Sequence, residues 1–178
     1  MKLHGNKVYL SKGISEAGYH NLFRWFLDVE VMKNIGFAKR SLGFKNIAET
    51  KSFVSELEDG IFFEIYCDGN MIGYTSLSDF KEDSCEFGII IGEKHYWSRG
   101  IGKEATLLTT NYAFEELGVK RVILSVCKLH GLAIRVYESC GFRVYDIRKN
   151  AREVFCNGDW VFADTVKMEV LKNNFTLG

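Results

Sequence analysis

Proline is absent from all 178 residues, although average usage of about 5% would supply roughly nine. Its absence removes X-Pro isomerisation as a slow folding step. No apolar run reaches 18 residues, and the opening MKLHGNKVYL lacks the apolar core of a signal peptide. A cytoplasmic protein is therefore expected. Neither sign of charge dominates: 23 Lys and Arg balance 23 Asp and Glu, for a formal net charge of zero. That gives no global electrostatic reason to bind nucleic acid or a membrane surface, and neither is expected as a partner. The five cysteines, at 67, 85, 127, 140 and 156, are odd in number and form no CxxC pair. Four of them sit in apolar strand or helix patterns, which reads as buried free thiols. His4, His20 and His130 have no spaced partners of metal-ligand type, so no metal is expected.

What remains is an ordinary globular composition, 47% hydrophobic and 26% charged. The length suits one domain, 1–178, with a sizeable core. The stretch from Cys85 to Phe142 organises it. Phe87 to Ile91 is an apolar run of strand length. A polar loop follows, and Arg99-Gly100-Ile101-Gly102-Lys103 opens a long helical pattern. Glycines there admit a close ligand, and a helix start offers unpaired N–H groups with partial positive charge, an anion site. A strand at Arg121–Cys127 and a short helix at Leu132–Cys140 complete the unit.

Around it, Lys7–Leu10 reads as a first strand. Ser15 caps a helix with Tyr19, Leu22, Phe23 and Phe26 at helical spacing. Residues 31–45 read as irregular. Asn46 and Glu49 resemble a capping box for a second helix ending near Gly60. Three strands follow as a meander, Ile61–Cys67, Met71–Leu77 and Glu86–Ile91, with turns at Asp68-Gly69-Asn70 and Lys81-Glu82-Asp83. After the central unit come strands at Phe142–Ile147, a hairpin about Asn157-Gly158, and Met168–Leu171. Residues 173–178 read as a tail. The fold class is α+β, or mixed α/β, with one central and mostly antiparallel sheet flanked by helices.

Two motifs in this order resemble the GCN5-related N-acetyltransferases, in particular the subgroup of ribosomal-protein N-terminal and spermidine acetyltransferases. The family's acetyl-CoA loop, Q/R-x-x-G-x-G/A, is matched by Trp97-Ser98-Arg99-Gly100-Ile101-Gly102. A second pattern, N-x-x-A-x-x-x-Y-E-x-x-G-F, is matched from His130 through Ala133, Tyr137 and Glu138 to Gly141-Phe142. Trp97 replaces the usual Gln or Arg, and His130 the usual Asn. Softer matches reach from Trp25 to Met168. The resemblance implies a central sheet splayed open at an acetyl-CoA site. It also implies acetyl-CoA as co-substrate, and direct acetyl transfer to a primary amine by a monomer or homodimer.

By that resemblance the pyrophosphate lies on residues 98–103, with Arg99 and Lys103 as adjuncts. The pantetheine amides meet the strand edge Ile89-Ile90-Ile91, and further cofactor contacts fall to Trp97, His130 and Ala133. Tyr137 is the family's acid for the departing thiolate. A phenol with an ordinary pKa of about 10 is protonated at pH 7 and suited to that task. Glu86, at the start of the same strand, is the candidate base, and an N–H near Ile89 the carbonyl polariser. His95 lies in a loop and reads as a surface residue.

Other phosphate motifs fit poorly. Gly100 to Ala105 satisfies G-x-G-x-x-A, but eight residues separate it from Ile91, and the next strand ends in Lys128 without an acid. A P-loop needs Ser or Thr where Glu104 stands. The rival of another class is a non-catalytic acyl-CoA sensor on the same fold. For the acceptor, residues 31–48 carry Lys33, Lys39, Arg40 and Lys45 and no acid. A polyamine site should instead be lined with carboxylates. Phe37 and Phe44 are placed to cover an apolar part of the acceptor. The expected acceptor is a protein or peptide N-terminal amine, with a small-molecule amine such as a polyamine or aminoglycoside as the alternative.

Overall fold

The computed structural model describes residues 1–57 and 59–177. Gly178, the end of the expected tail, lies outside them. Among the described residues, eight strands form one sheet in the order β1-β2-β3-β4-β5-β6-β8-β7. They are β1 (Lys2–His4), β2 (Tyr9–Lys12), β3 (Ile61–Cys67), β4 (Asn70–Lys81), β5 (Ser84–Ile91), β6 (Arg121–Cys127), β7 (Arg143–Cys156) and β8 (Asp159–Leu171). Every neighbouring pair is antiparallel except β5–β6. A parallel pair needs a crossover, and α5 (Ile101–Glu115) supplies it.

Both faces of the sheet are covered. One carries α5 and α6 (Gly131–Ser139), with Phe63, Leu77, Phe87, Ala105 and Phe114 in its core. The other carries α1 (Glu16–Phe26) and α4 (Ile47–Ser55), where Leu22, Trp25, Phe26 and Val54 pack on Tyr74 and Ile90. Neighbouring β4 residues therefore feed opposite layers, Thr75 meeting Thr109 of α5 at 2.8 Å while Tyr74 faces α1. Among the described residues no helix is long and apolar enough to cross a membrane.

The caps form as their residues dictate. Ser15 Oγ accepts from Gly18 N–H at 3.0 Å, and Asn46 Oδ1 from Glu49 N–H at 3.0 Å. The Glu49 carboxylate answers to the Lys45 N–H, at 3.1 Å, one residue before the cap. Cys67, Cys85, Cys127 and Cys140 are buried free thiols and Cys156 is half-buried.

Several expectations shift. The first strand begins at Tyr9, and the unexpected β1 pairs with it. Residues 31–45 are less irregular than their glycines suggest. The short helix α2 (Val29–Met32) ends within them, and α3 (Ala38–Ser41) lies inside them. Asp28 caps α2 through its carboxylate. The last four β segments are two long strands, β7 and β8. Register shifts between Val144 and Asp146, and between Arg148 and Arg152, absorb the polar residues that read as breaks. Phe175 docks on Phe114 with ring centroids 5.2 Å apart, so that part of the tail belongs to the core layer.

Candidate active site

The site begins where β5 and β6 part. β5 pairs with β4 up to Ile91, and β6 pairs with β8 over its whole length. The two strands pair with each other only over Ser84–Glu86 against Arg121–Ile123. Beyond Glu86 each keeps its outer neighbour and loses its inner one. Alternate backbone groups of Phe87–Ile91 therefore face an opening instead of a strand. The opening is a cleft of about 1790 Å³, lined by Phe87–Ile91, Leu124–Cys127, the start of α5 and one face of α6.

At one end lies the glycine loop. The indole N–H of Trp97 donates to Ile91 O at 2.8 Å and ties the loop to the end of β5. Ser98 and Gly100 both have left-handed backbone, φ 61° and 79°, and turn the chain into α5. A Cβ at Gly102 would meet nothing within 4 Å, so the space above the first turn is open. The loop has a neighbour that sequence spacing does not reveal. Lys7 Nζ, from the β1–β2 turn, donates to Arg99 O at 2.8 Å. That turn is held by the Glu104 carboxylate, which accepts from the Asn6 and Lys7 N–H groups. Arg99 itself is exposed, its guanidinium 5.3 Å from the centre of the Tyr96 ring, and it does not line the cleft. Lys7 is thus a further cation near the helix start; like Arg99 it does not line the cleft, whereas Lys103 does.

At the other end is Tyr137. Ala133, Val136 and Tyr137 share the inner face of α6. The Tyr137 ring meets Phe87 edge-on, with centroids 6.4 Å apart, and Phe142 at 6.1 Å. Burial pushes its phenol far above the usual range. Glu86 lines the cleft at the last β5–β6 pair, the vertex of the opening. The splay starts at Glu86 itself, which puts it at the base of the opening. His130 is half-buried and precedes α6 without making a capping bond. Burial, then the Lys33 charge, lowers its pKa, so the imidazole is neutral at pH 7. His95 is exposed against Tyr96, as expected.

Arg152 escaped the sequence reading. It belongs to the run Arg148–Arg152, which reads as a polar connection and is instead the bulge of β7. The bulge turns Arg152 into the cleft, where Nη2 donates to Ser125 O at 3.1 Å. Burial pulls its pKa down, and neighbouring Cys127, Glu86 and Tyr137 act the other way. No spacing rule could have found it, because the bulge exists only in the pairing with β8.

The remaining wall joins the α2–α3 segment to the β7–β8 hairpin. Phe155 N–H donates to Lys33 O at 3.1 Å, and Lys39 pairs with Glu153 at 2.7 Å. Arg40 forms a two-bond pair with Glu56. Two of the four basic residues of this segment are thereby neutralised. Phe37 lines the cleft, whereas Phe44 packs against Phe26 and Phe53 outside it. Of the catalytic and cofactor candidates singled out from the sequence, all but Arg99 line this one cleft.

Residues 12–143, more than half of the chain, match the acetyltransferase (GNAT) domain. The chain belongs to the GNAT acetyltransferase family. Among curated relatives it is similar to the spermidine N(1)-acetyltransferase of Escherichia coli K12, 28% identical over 115 residues. That alignment covers 64% of this chain and 59% of the relative. Matches to the first curated relatives cover less than two thirds of their own lengths. Among solved structures, the spermidine N-acetyltransferase of Vibrio cholerae in complex with CoA and spermine has a TM-score of 0.78 at 20% identity. It matches over 93% of this chain and 96% of its own. RimL, a ribosomal L7/L12 α-N-protein acetyltransferase in complex with CoA, has a TM-score of 0.79 at 13% identity, over 96% and 98%. These two likenesses establish the GNAT fold, with the open sheet as its central feature.

Proposed function

We propose that this protein moves an acetyl group from acetyl-CoA to a primary amine, by direct transfer within the β5–β6 opening. The observation that carries the reading is the line formed by the unpaired β5 edge, the open N-terminus of α5 and the Tyr137 side chain along one cleft. The residues suit the co-substrate. Free N–H groups at residues 101–103, with Lys7 and Lys103, fit a pyrophosphate. The backbone of Ile89 to Ile91 fits the pantetheine amides, and Trp97, Ser98, Gly100, His130 and Ala133 line the same path.

Acetyl-CoA, when bound, supplies an activated acetyl thioester. Glu86 takes a proton from the incoming ammonium, directly or through water, and leaves a neutral amine to form the new C–N bond. A β5 N–H near Ile89 polarises the carbonyl oxygen. Tyr137 gives its proton to the sulfur as the C–S bond breaks, and the second proton shed by the nitrogen as it becomes an amide restores the Tyr137 phenol, directly or through water. Burial raises the phenol's pKa, so the group is protonated at the start of the transfer.

For the acceptor, we hold a protein or peptide N-terminal amine ahead of a polyamine. Spermidine appears in the names of relatives, and the cleft does contain acids. Yet Glu30 is paired with Lys94 at 3.0 Å and Asp79 with Lys81 at 3.1 Å, while Lys33 and Arg152 line the same space. A polycation would meet fixed positive charge there. A CoA-release screen across polyamines, aminoglycosides, amino acids and short peptides tests the reading. Turnover of a peptide amine supports it. Spermidine as the best acceptor would reverse the substrate order, and acetyl-CoA binding without any turnover would favour the sensor.

A further inference from the structure

Arg152 differs from three of the acids that line the cleft. Glu30, Glu56 and Asp79 each have an ion-pair partner. Among the described residues, the only side-chain hydrogen bond of Arg152 goes to the Ser125 carbonyl, and no carboxylate lies within ion-pair distance. A guanidinium carries five N–H donors and stays charged at any working pH. Its other donors have no protein partner among the described residues and open onto the cleft instead of being sealed from water, so an entering anion can take them. The side chain is also held in place. The Ser125 bond fixes one nitrogen, and the guanidinium lies alongside Gly36, where a Cβ would make ordinary contact at 3.5 Å. Arg152 shares its space with Glu86 and Tyr137, between which the acceptor nitrogen must come to rest. Lys33 adds positive charge along the same wall.

We infer that Arg152 determines acceptor specificity: the amine acetylated here carries a carboxylate close to its amino group, and the Arg152 guanidinium receives it. The inference rests on the acetyl-transfer reading above. The planar fork of a guanidinium matches a carboxylate with two parallel N–H···O bonds. A polyamine offers only another cation. Two sources share the required chemistry, a free amino acid and a peptide with an acidic residue in its first positions.

Matched acceptors separate them. CoA release is measured with an amino acid and its amide, with a short peptide bearing glutamate at its second position and the same peptide bearing glutamine, and with spermidine. For one pair, kcat/KM of the acid member is expected to exceed that of the neutral member by at least about tenfold, and that pair names the source. In Arg152→Gln the ratio falls toward one, mainly through a rise in KM, with acetyl-CoA affinity unchanged. Arg152→Lys recovers part of the preference. A ratio of one in the unaltered protein, or a ratio unchanged in Arg152→Gln, overturns the inference and leaves acetyl transfer standing. So does spermidine as the best acceptor. The comparison in the unaltered protein needs no variant, so a poorly folding Arg152→Gln cannot shield the inference. Acetyl-CoA binding with no acceptor turned over overturns inference and transferase reading together.

Discussion

A single hydroxyl separates two accounts of Tyr137. As packing, its ring against Phe87 and Phe142 would serve equally well as phenylalanine. As the acid of the proposed transfer, its proton is indispensable. Tyr137→Phe is expected to lower kcat by about 10²-fold or more, with little change in acetyl-CoA affinity or melting temperature. Single-turnover kinetics, where chemistry limits, check this, and an unchanged rate removes Tyr137 from the mechanism. For Glu86→Gln a smaller loss is expected. It should shrink as pH rises, because the amine then deprotonates without help, and a loss independent of pH would argue against a base. His130 makes a prediction about stability. Its folded pKa lies below that of a free imidazole. The unfolded chain therefore binds more protons as pH falls through about 6.5, and stability is lost in that direction. Above that pH this contribution is fully present. His130→Asn should flatten the dependence of melting temperature on pH between 7 and 5, and identical profiles would show that His130 titrates alike in both states.

The decisive element is the start of α5. Helix termini leave N–H groups without partners, and here the glycines keep side chains off them. Gly100 needs its left-handed backbone, φ 79°, to make the turn. Gly102 does not; it sits in ordinary helix with open space above it. Gly102→Glu therefore fits the empty protein and should leave its melting temperature within a few degrees. The carboxylate would stand where a phosphate is proposed to bind, so calorimetry should find acetyl-CoA binding lost. Binding at full strength in a folded variant would move the phosphate site elsewhere. This element was legible in the sequence because its information is local: a strand, a loop of fixed length, glycines, then helical periodicity. The β7–β8 hairpin was legible only at its Asn157-Gly158 turn. Its bulges depend on what β8 offers across the ladder, so the polar run at 148–152 read as a break.

At the scale of the whole molecule, zero net charge hides which charges are paired and which are not. Basic residues of the 31–48 segment suggested a positive acceptor wall, but Lys39 and Arg40 are spent on Glu153 and Glu56. Our proposal that a cationic acceptor is disfavoured rests instead on Arg152, contributed by β7. Charges counted along a segment do not reveal which are neutralised, because their partners arrive from elsewhere.

The order of elements from α4 to α6, the glycine loop and the Tyr137 face were determined by the sequence itself. Each rests on spacing within a few turns or one strand, where backbone geometry converts position directly into direction. The tertiary structure alone decided that β5 and β6 would part at Glu86, since each strand keeps a longer ladder on its other side. It alone brought Lys7 to Arg99, 92 residues away, and Arg152 to Ser125, 27 residues away. Those contacts follow from sheet register and bulges, which are properties of paired strands and leave no periodic trace in either strand alone.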